Sequence, residues 1–230
     1  MAKGNSEQPM INCIIQARMS SKRLPGKVLK KISNKPLLEH LIDRVKLSKK
    51  IKKIIVTTSA SKSDQAIVNF CKLNKILYFR GNLRDVRKRY LDTIKEFPCK
   101  YFVRITGDSP LINPKIIDNF CKLIGENNFD LVTNVFPRSF PKGQTVEVLN
   151  TKVFQKYAPN FKAKRFKEHI TEFFYKNGKK FSIKNIEYKK NLSHINMSVD
   201  NRKDLIKVAK ILKRNIFLKK DLIKEYEEKY

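Results

Sequence analysis

Residues 18–27 hold four cations, Arg18, Lys22, Arg23 and Lys27, directly after an apolar run over 11–15 that only Asn12 and Cys13 interrupt. A hydrophobic strand feeding a cationic loop near the chain start is the layout of a phosphate-binding first βα unit. The loop has one glycine, Gly26, so backbone N–H groups cannot do most of the cradling and side chains would have to. Arginine offers phosphate a planar fork and lysine a compact charge. Each charge-assisted bond of this kind is worth roughly 1.5–3 kcal/mol, so two or three suffice for a triphosphate. A polyanionic small molecule is one reading; a solvated cationic turn is the other. The stretch is not a Walker loop, since no glycine stands five positions before Gly26 and no Ser or Thr follows Lys27, and G-x-G-x-x-G occurs nowhere.

Two aspartates follow short β-branched runs. In Val103-Arg104-Ile105-Thr106-Gly107-Asp108, the glycine lets the chain turn and leaves Asp108 at the carboxyl end of a strand, the edge where open α/β sheets bind ligands. One or two carboxylates beside a triphosphate suit Mg²⁺, which fills its other positions with water and phosphate oxygens. The alternative is a turn former. Asp200, in Asn196-Met197-Ser198-Val199-Asp200, is a second metal candidate or a helix cap. His169 could bond a ligand, act as a base or be structural. Glu147 could face a ligand or sit as an edge charge. His40 and His194 belong to no constellation, and neither G-x-S-x-G nor H-E-x-x-H occurs.

The elements that must position these residues alternate. Strands are predicted over 11–17, 51–57, 76–79, 101–105 and 130–134, and helices over 35–47, 64–73, 83–97 and 114–124. The first helix carries Pro36 in its first turn. Such alternation implies parallel βαβ units with both sheet faces covered. After Asn134 the rhythm breaks into a proline- and glycine-marked loop over 136–143 and a strand over 146–149. A helix over 168–176, an extended stretch over 181–188, a strand over 195–199 and a helix over 201–213 complete the pattern.

The chain has 230 residues, 41% of them hydrophobic, enough for one well-buried domain over 10–230 behind a polar, patternless leader over 1–9 that is expected to be disordered. No apolar run approaches the roughly 18 residues of a membrane span, and the first residues lack a signal-peptide core. Cys13, Cys71, Cys99 and Cys121 are scattered without C-x-x-C, the pattern of reduced structural cysteines in a cytoplasmic protein. The net charge of +30 is mostly lysine spread along the chain. It admits a nucleic-acid-binding reading but concentrates in no arm.

Taken in order, these motifs resemble the cytidylyltransferase family that makes CMP-activated sugar acids, CMP-sialic acid and CMP-Kdo synthetases among them, and most of all its spore-coat-polysaccharide, SpsF-like branch. The likeness is carried by IQARMSSKRLPGKVL (15–29), FRGNLRDVRKRY (79–90), RITGDSPLINP (104–114), EHITEFFY (168–175) and SVDNRKDL (198–205). It implies a Rossmann-like, GT-A-like nucleotidyltransferase, an α/β three-layer sandwich with a mainly parallel sheet, usually dimeric. By it, Arg18, Lys27, Asp108 and Asp200 are catalytic. Arg18 and Lys27 bind triphosphate with Ser21 and Arg23 beside them, and Gln16 and Ala17 meet the nucleotide. Arg104 and Thr106 lie beneath base and ribose, and Asp108 and Asp200 hold Mg²⁺.

Glu147, Glu168 and His169 fall in the acceptor half, and the elaboration over 135–195 is expected to serve acceptor binding and dimerisation. The implied partners are CTP and an acidic sugar, with neither nucleic acid nor membrane. The chain departs from the branch at Thr145, usually acidic, at Glu172, usually proline, and at Ser20, commonly glycine. The first two changes fall in the acceptor half, so the sugar is the open question. Alternatives are another NTP, a sugar-phosphate acceptor, or a non-enzymatic basic protein that binds nucleic acid.

Overall fold

Ile11, Cys13 and Ile15 belong to one hydrophobic core and Ile14 to another, and none is more than 2% exposed. A run buried on both faces makes a central strand. Accordingly β1 (Ile11–Gln16) pairs in parallel with β4 (Lys53–Ser59) on one side and β6 (Tyr101–Thr106) on the other. This computed structural model describes residues 10–213; the leader expected over 1–9 lies outside the described residues, as does 214–230.

Beyond β4 the sheet continues into β5 (Leu77–Gly81), and beyond β6 into β8 (Glu147–Asn150), β7 (Leu131–Thr133) and β9 (Ile183–Asn185). Only β8 runs against the other six, so the seven-stranded sheet is mainly parallel. A short hairpin, β2 (Lys31–Ile32) with β3 (Lys35–Pro36), stands apart from it. One face is covered by α1 (Leu37–Lys46), α2 (Gln65–Leu73), α4 (Pro114–Asn127) and α8 (Arg202–Lys213). Along α1 the buried Leu37, Leu38, Leu41, Ile42 and Val45 recur at helical spacing. The other face carries α3 (Val86–Glu96), α5 (Thr151–Tyr157), α6 (Lys164–Glu168) and α7 (Glu172–Lys176) over a core rich in phenylalanine. Three layers result, as expected.

The chain visits β1, β4 and β5 in one direction and then returns to place β6 on the other side of β1. That reversal opens a crevice at the carboxyl ends of β1 and β6. Register makes it level: Gln16 stands opposite both Thr57 and Thr106. The loops after β1 and β6 therefore leave the sheet side by side.

Several expectations change. Pro36 caps α1 from outside instead of lying in its first turn. The helix expected over 168–176 is broken into α6 and α7, because the chain turns at His169 to bury Ile170 completely. The stretch over 181–188 keeps only three residues in the sheet. No strand forms over 195–199; the segment is tied instead by a single bridge between Asn196 and Lys142. The helix α5 was not foreseen; Asn150 caps it by accepting from the Val153 N–H at 3.3 Å.

Candidate active site

A cleft of about 400 Å³ opens at the crevice. Its walls come from Gln16, Ala17, Arg18, Ser21, Lys22, Arg23 and Lys27 of the first loop, from Arg104, Thr106, Gly107 and Asp108 after β6, and from Glu168, His169 and Asp200. Of the candidate site residues named from the sequence, Glu147 alone is missing from this lining.

The first loop is closed on itself and pinned from below. The Met19 carbonyl accepts from the N–H groups of Ser21 and Gly26, both at 2.9 Å, and Gly26 turns the chain with a φ of 66°. The Met19 N–H donates to Asp64 Oδ1 at 2.7 Å. Asp64 is fully buried, and its Oδ2 accepts from the N–H and the hydroxyl of Ser59 at the end of β4. Close packing below the loop depends on Gly107: a Cβ there would lie 3.2 Å from both Ala17 Cβ and Gln16 O. The Gly107 N–H donates to that same Gln16 carbonyl at 2.8 Å, locking the two strand ends together.

Asp108 and Asp200 are brought together although 92 residues separate them in sequence. The Val199 N–H donates to the Asp108 carbonyl at 2.8 Å, which docks the second segment against the first. Between the two carboxylates lies the Lys27 ammonium, 2.8 Å from Asp108 Oδ2, 3.2 Å from Asp200 Oδ1 and 2.8 Å from the Val199 carbonyl. Arg23 pairs with Asp200 at 2.8 Å, and Arg18 with Glu168 at 3.5 Å. A cationic loop and the carboxylates of Asp108 and Asp200 thus share one pocket.

Glu147 sits below the cleft, 2% exposed. Antiparallel register sets it opposite Arg104, whose Nη1 reaches Glu147 Oε2 at 2.5 Å, while the Tyr175 hydroxyl donates to Oε1 at 2.5 Å. Its oxygens are engaged, so it supports Arg104 instead of facing a ligand. Burial works to lower the Arg104 pKa, but the facing Glu147 and nearby tyrosines outweigh it and hold the guanidinium charged. Burial, reinforced by Glu147, keeps the Tyr175 phenol protonated. On the floor of the cleft, Arg104 Nε and Gln16 Oε1 are buried polar atoms that no described residue satisfies.

The donor set fits one divalent cation. The carboxylates of Asp108, just after β6, and of Asp200, just before α8, both reach the Lys27 ammonium, and among the described residues no group of three or more His, Cys, Asp or Glu offers an alternative. A metal held here would complete its shell from phosphate and water, as Mg²⁺ does.

Sequence reasoning missed Asp64 and Tyr175. Asp64 reads locally as a helix start, and its partner Met19 lies 45 residues earlier. Tyr175 falls inside a recognisable segment, but its tie to Glu147 is purely tertiary.

A family model described as cytidylyltransferase matches residues 12–229. An uncharacterized protein of Methanocaldococcus jannaschii is 37% identical over 83% of this chain and 78% of its own. The spore coat polysaccharide biosynthesis protein SpsF of Bacillus subtilis is 35% identical over 46% of this chain and 45% of its own. A 3-deoxy-manno-octulosonate cytidylyltransferase of Geobacter sulfurreducens is 28% identical over 51% and 46%. The aligned regions span less than half the length of the latter two relatives. Among solved structures, a cytidylyltransferase from Leptospira borgpetersenii superposes with a TM-score of 0.82 at 26% identity, covering 93% of this chain and 98% of that one.

Proposed function

The chain belongs to the cytidylyltransferase family, and from that premise we propose that it transfers a cytidylyl group from CTP to a sugar acid, releasing pyrophosphate, for surface polysaccharide synthesis. The observation that carries this reading is the convergence of Arg18, Arg23 and Lys27 with Asp108 and Asp200 in one cleft at the switch point of the sheet. The relatives named for spore coat polysaccharide and for 3-deoxy-manno-octulosonate favour a sugar-acid acceptor.

In this reading an acceptor hydroxyl attacks the α-phosphorus in line as the bond to pyrophosphate breaks. Such reactions need positioning and charge neutralisation more than covalent help. Arg18, Lys27 and Arg23 orient the β- and γ-phosphates and offset the charge that grows on pyrophosphate. Gln16, Ala17 and Thr106 line the floor where the nucleoside is to lie, with Arg104 held rigid by Glu147 and Tyr175. Asp108 and Asp200 would hold Mg²⁺, which when bound neutralises phosphate oxygens and lowers the pKa of a nearby hydroxyl. Glu168, paired with Arg18 at 3.5 Å, and His169 are assigned to the acceptor side, and the elaboration over 135–195 to acceptor binding and a homodimer contact. Among the described residues no helix is long and apolar enough to cross a membrane.

The test is product identification. Incubation with CTP, Mg²⁺ and a panel of sugar acids is expected to yield a CMP-sugar by mass spectrometry, and chelation to abolish it. A CDP-linked product from a sugar phosphate would overturn the acceptor assignment.

A further inference from the structure

Lys27 is the most confined cation of the first loop. Its side chain is 12% exposed, against 40% for Arg18 and 68% for Arg23. An ammonium has three donors, and Lys27 directs them to three acceptors: Asp108 Oδ2, Asp200 Oδ1 and the Val199 carbonyl. Two of these are the carboxylates assigned above to the metal, while the lysine itself is assigned to triphosphate. It sits where the metal's two proposed protein ligands converge. With Arg23 also paired to Asp200 at 2.8 Å, two cations offset the two carboxylates, which leave no uncompensated negative charge for a free cation to seek.

We propose that Lys27 is an internal counter-ion that decides which form of the metal the site accepts: the metal–nucleotide complex and not the free ion. A divalent cation arriving alone would have to displace an ammonium with three good acceptors and settle beside its charge, and at these distances that repulsion is strong. A polyphosphate changes the exchange, because it offers Lys27 several anionic oxygens at once and frees Asp108 and Asp200. It also supplies the phosphate ligands that a two-carboxylate site lacks. Coupling of this kind is reciprocal, so the metal likewise favours the state in which Lys27 holds phosphate. The inference rests on the cytidylyltransferase reading for what Lys27 moves toward, but the exclusion of free cation is tested without any nucleotide.

Mn²⁺ provides the probe, titrated into the full chain without nucleotide and followed by electron paramagnetic resonance. Wild type and Lys27→Arg are expected to bind weakly. Lys27→Met and Lys27→Gln, each checked for folding by thermal melt, are expected to bind Mn²⁺ roughly tenfold or more tightly than wild type, since each removes the competing charge. Adding Asp108→Asn to either is expected to erase the gain. Equal affinity in wild type and the neutral variants, or a gain that survives Asp108→Asn, overturns the proposal. Failure of wild type to transfer a cytidylyl group would instead sink the parent reading, and it leaves the Mn²⁺ comparison intact.

Discussion

Asp64 has no exposed surface, and its carboxylate accepts from the Met19 N–H in the middle of the cationic loop and from the N–H and hydroxyl of Ser59. It touches no cleft atom, yet it fixes the loop that carries Arg18, Ser21 and Arg23. Truncating it leaves buried donors unpaired at about 1–3 kcal/mol each. Asp64→Ala should therefore lower the unfolding free energy by about 3 kcal/mol in denaturant melts. It should also raise KM for CTP roughly tenfold while kcat changes less, the signature of lost nucleotide positioning. An unchanged KM in a folded variant would reduce Asp64 to a structural role. At this scale the sequence was readable where a residue's role is written in its neighbours: the cationic loop, Gly107-Asp108 and Val199-Asp200 all announce themselves locally. Asp64, and the burial of Glu147 beneath Arg104, were not, because both depend on which strand lies beside which.

The elements turn those residues toward one another, and the segment after Asn134 does so with little regular structure. The bridge between Lys142 and Asn196 fixes the approach to Asp200: the Lys142 N–H donates to the Ile195 carbonyl at 2.9 Å, and the Met197 N–H to the Lys142 carbonyl at 2.8 Å. Gly143 follows with a φ of 87°, and a Cβ on it would lie 2.7 Å from the backbone of Met197 and Ser198. Backbone cannot yield as a side-chain tip can. Gly143→Ala should cost about 2 kcal/mol of stability, from the positive φ and the clash together. Because the displaced segment ends at Asp200, activity at saturating CTP should fall and higher Mg²⁺ should restore part of it. Full activity in this variant would show that Asp200 is positioned by something else.

The sequence period marked β1, β4, β6, α1 and α4 well, since each is long and strongly patterned. It failed over 168–176 and 195–199, where burial of Ile170 and a bridge to Lys142, both tertiary, override local preference.

For the molecule as a whole, burial of small sulfur groups sets a measurable limit. Burial pushes the thiols of Cys71 and Cys121 up to about 12, from an ordinary value of 9.0, and raises Cys13 as well. A raised folded pKa means that the unfolded chain ionises first. The stability these thiols contribute is intact below pH 9 and lost as pH climbs from there toward 12, by ~1.4 kcal/mol per pH unit for each group. Thermal melts should show a steeper alkaline decline for wild type than for Cys71→Ala/Cys121→Ala; parallel declines would mean the thiols ionise freely in the fold. The net charge of +30 has a local meaning at the cleft, where the cations would meet the triphosphate of the proposed substrate, while most of the lysines lie elsewhere along the chain.

Whether the cationic loop, Asp108 and Asp200 form one nucleotidyl-transfer site, as proposed, is tested most directly by pyrophosphate release. With each of the four NTPs, Mg²⁺ and a sugar-acid panel, wild type is predicted to turn over CTP in preference to the others. Asp108→Asn, which keeps shape and removes charge, is predicted to lose roughly a hundredfold or more of that rate while remaining folded. Undiminished turnover in Asp108→Asn, or no turnover by wild type with any nucleotide, would contradict the account.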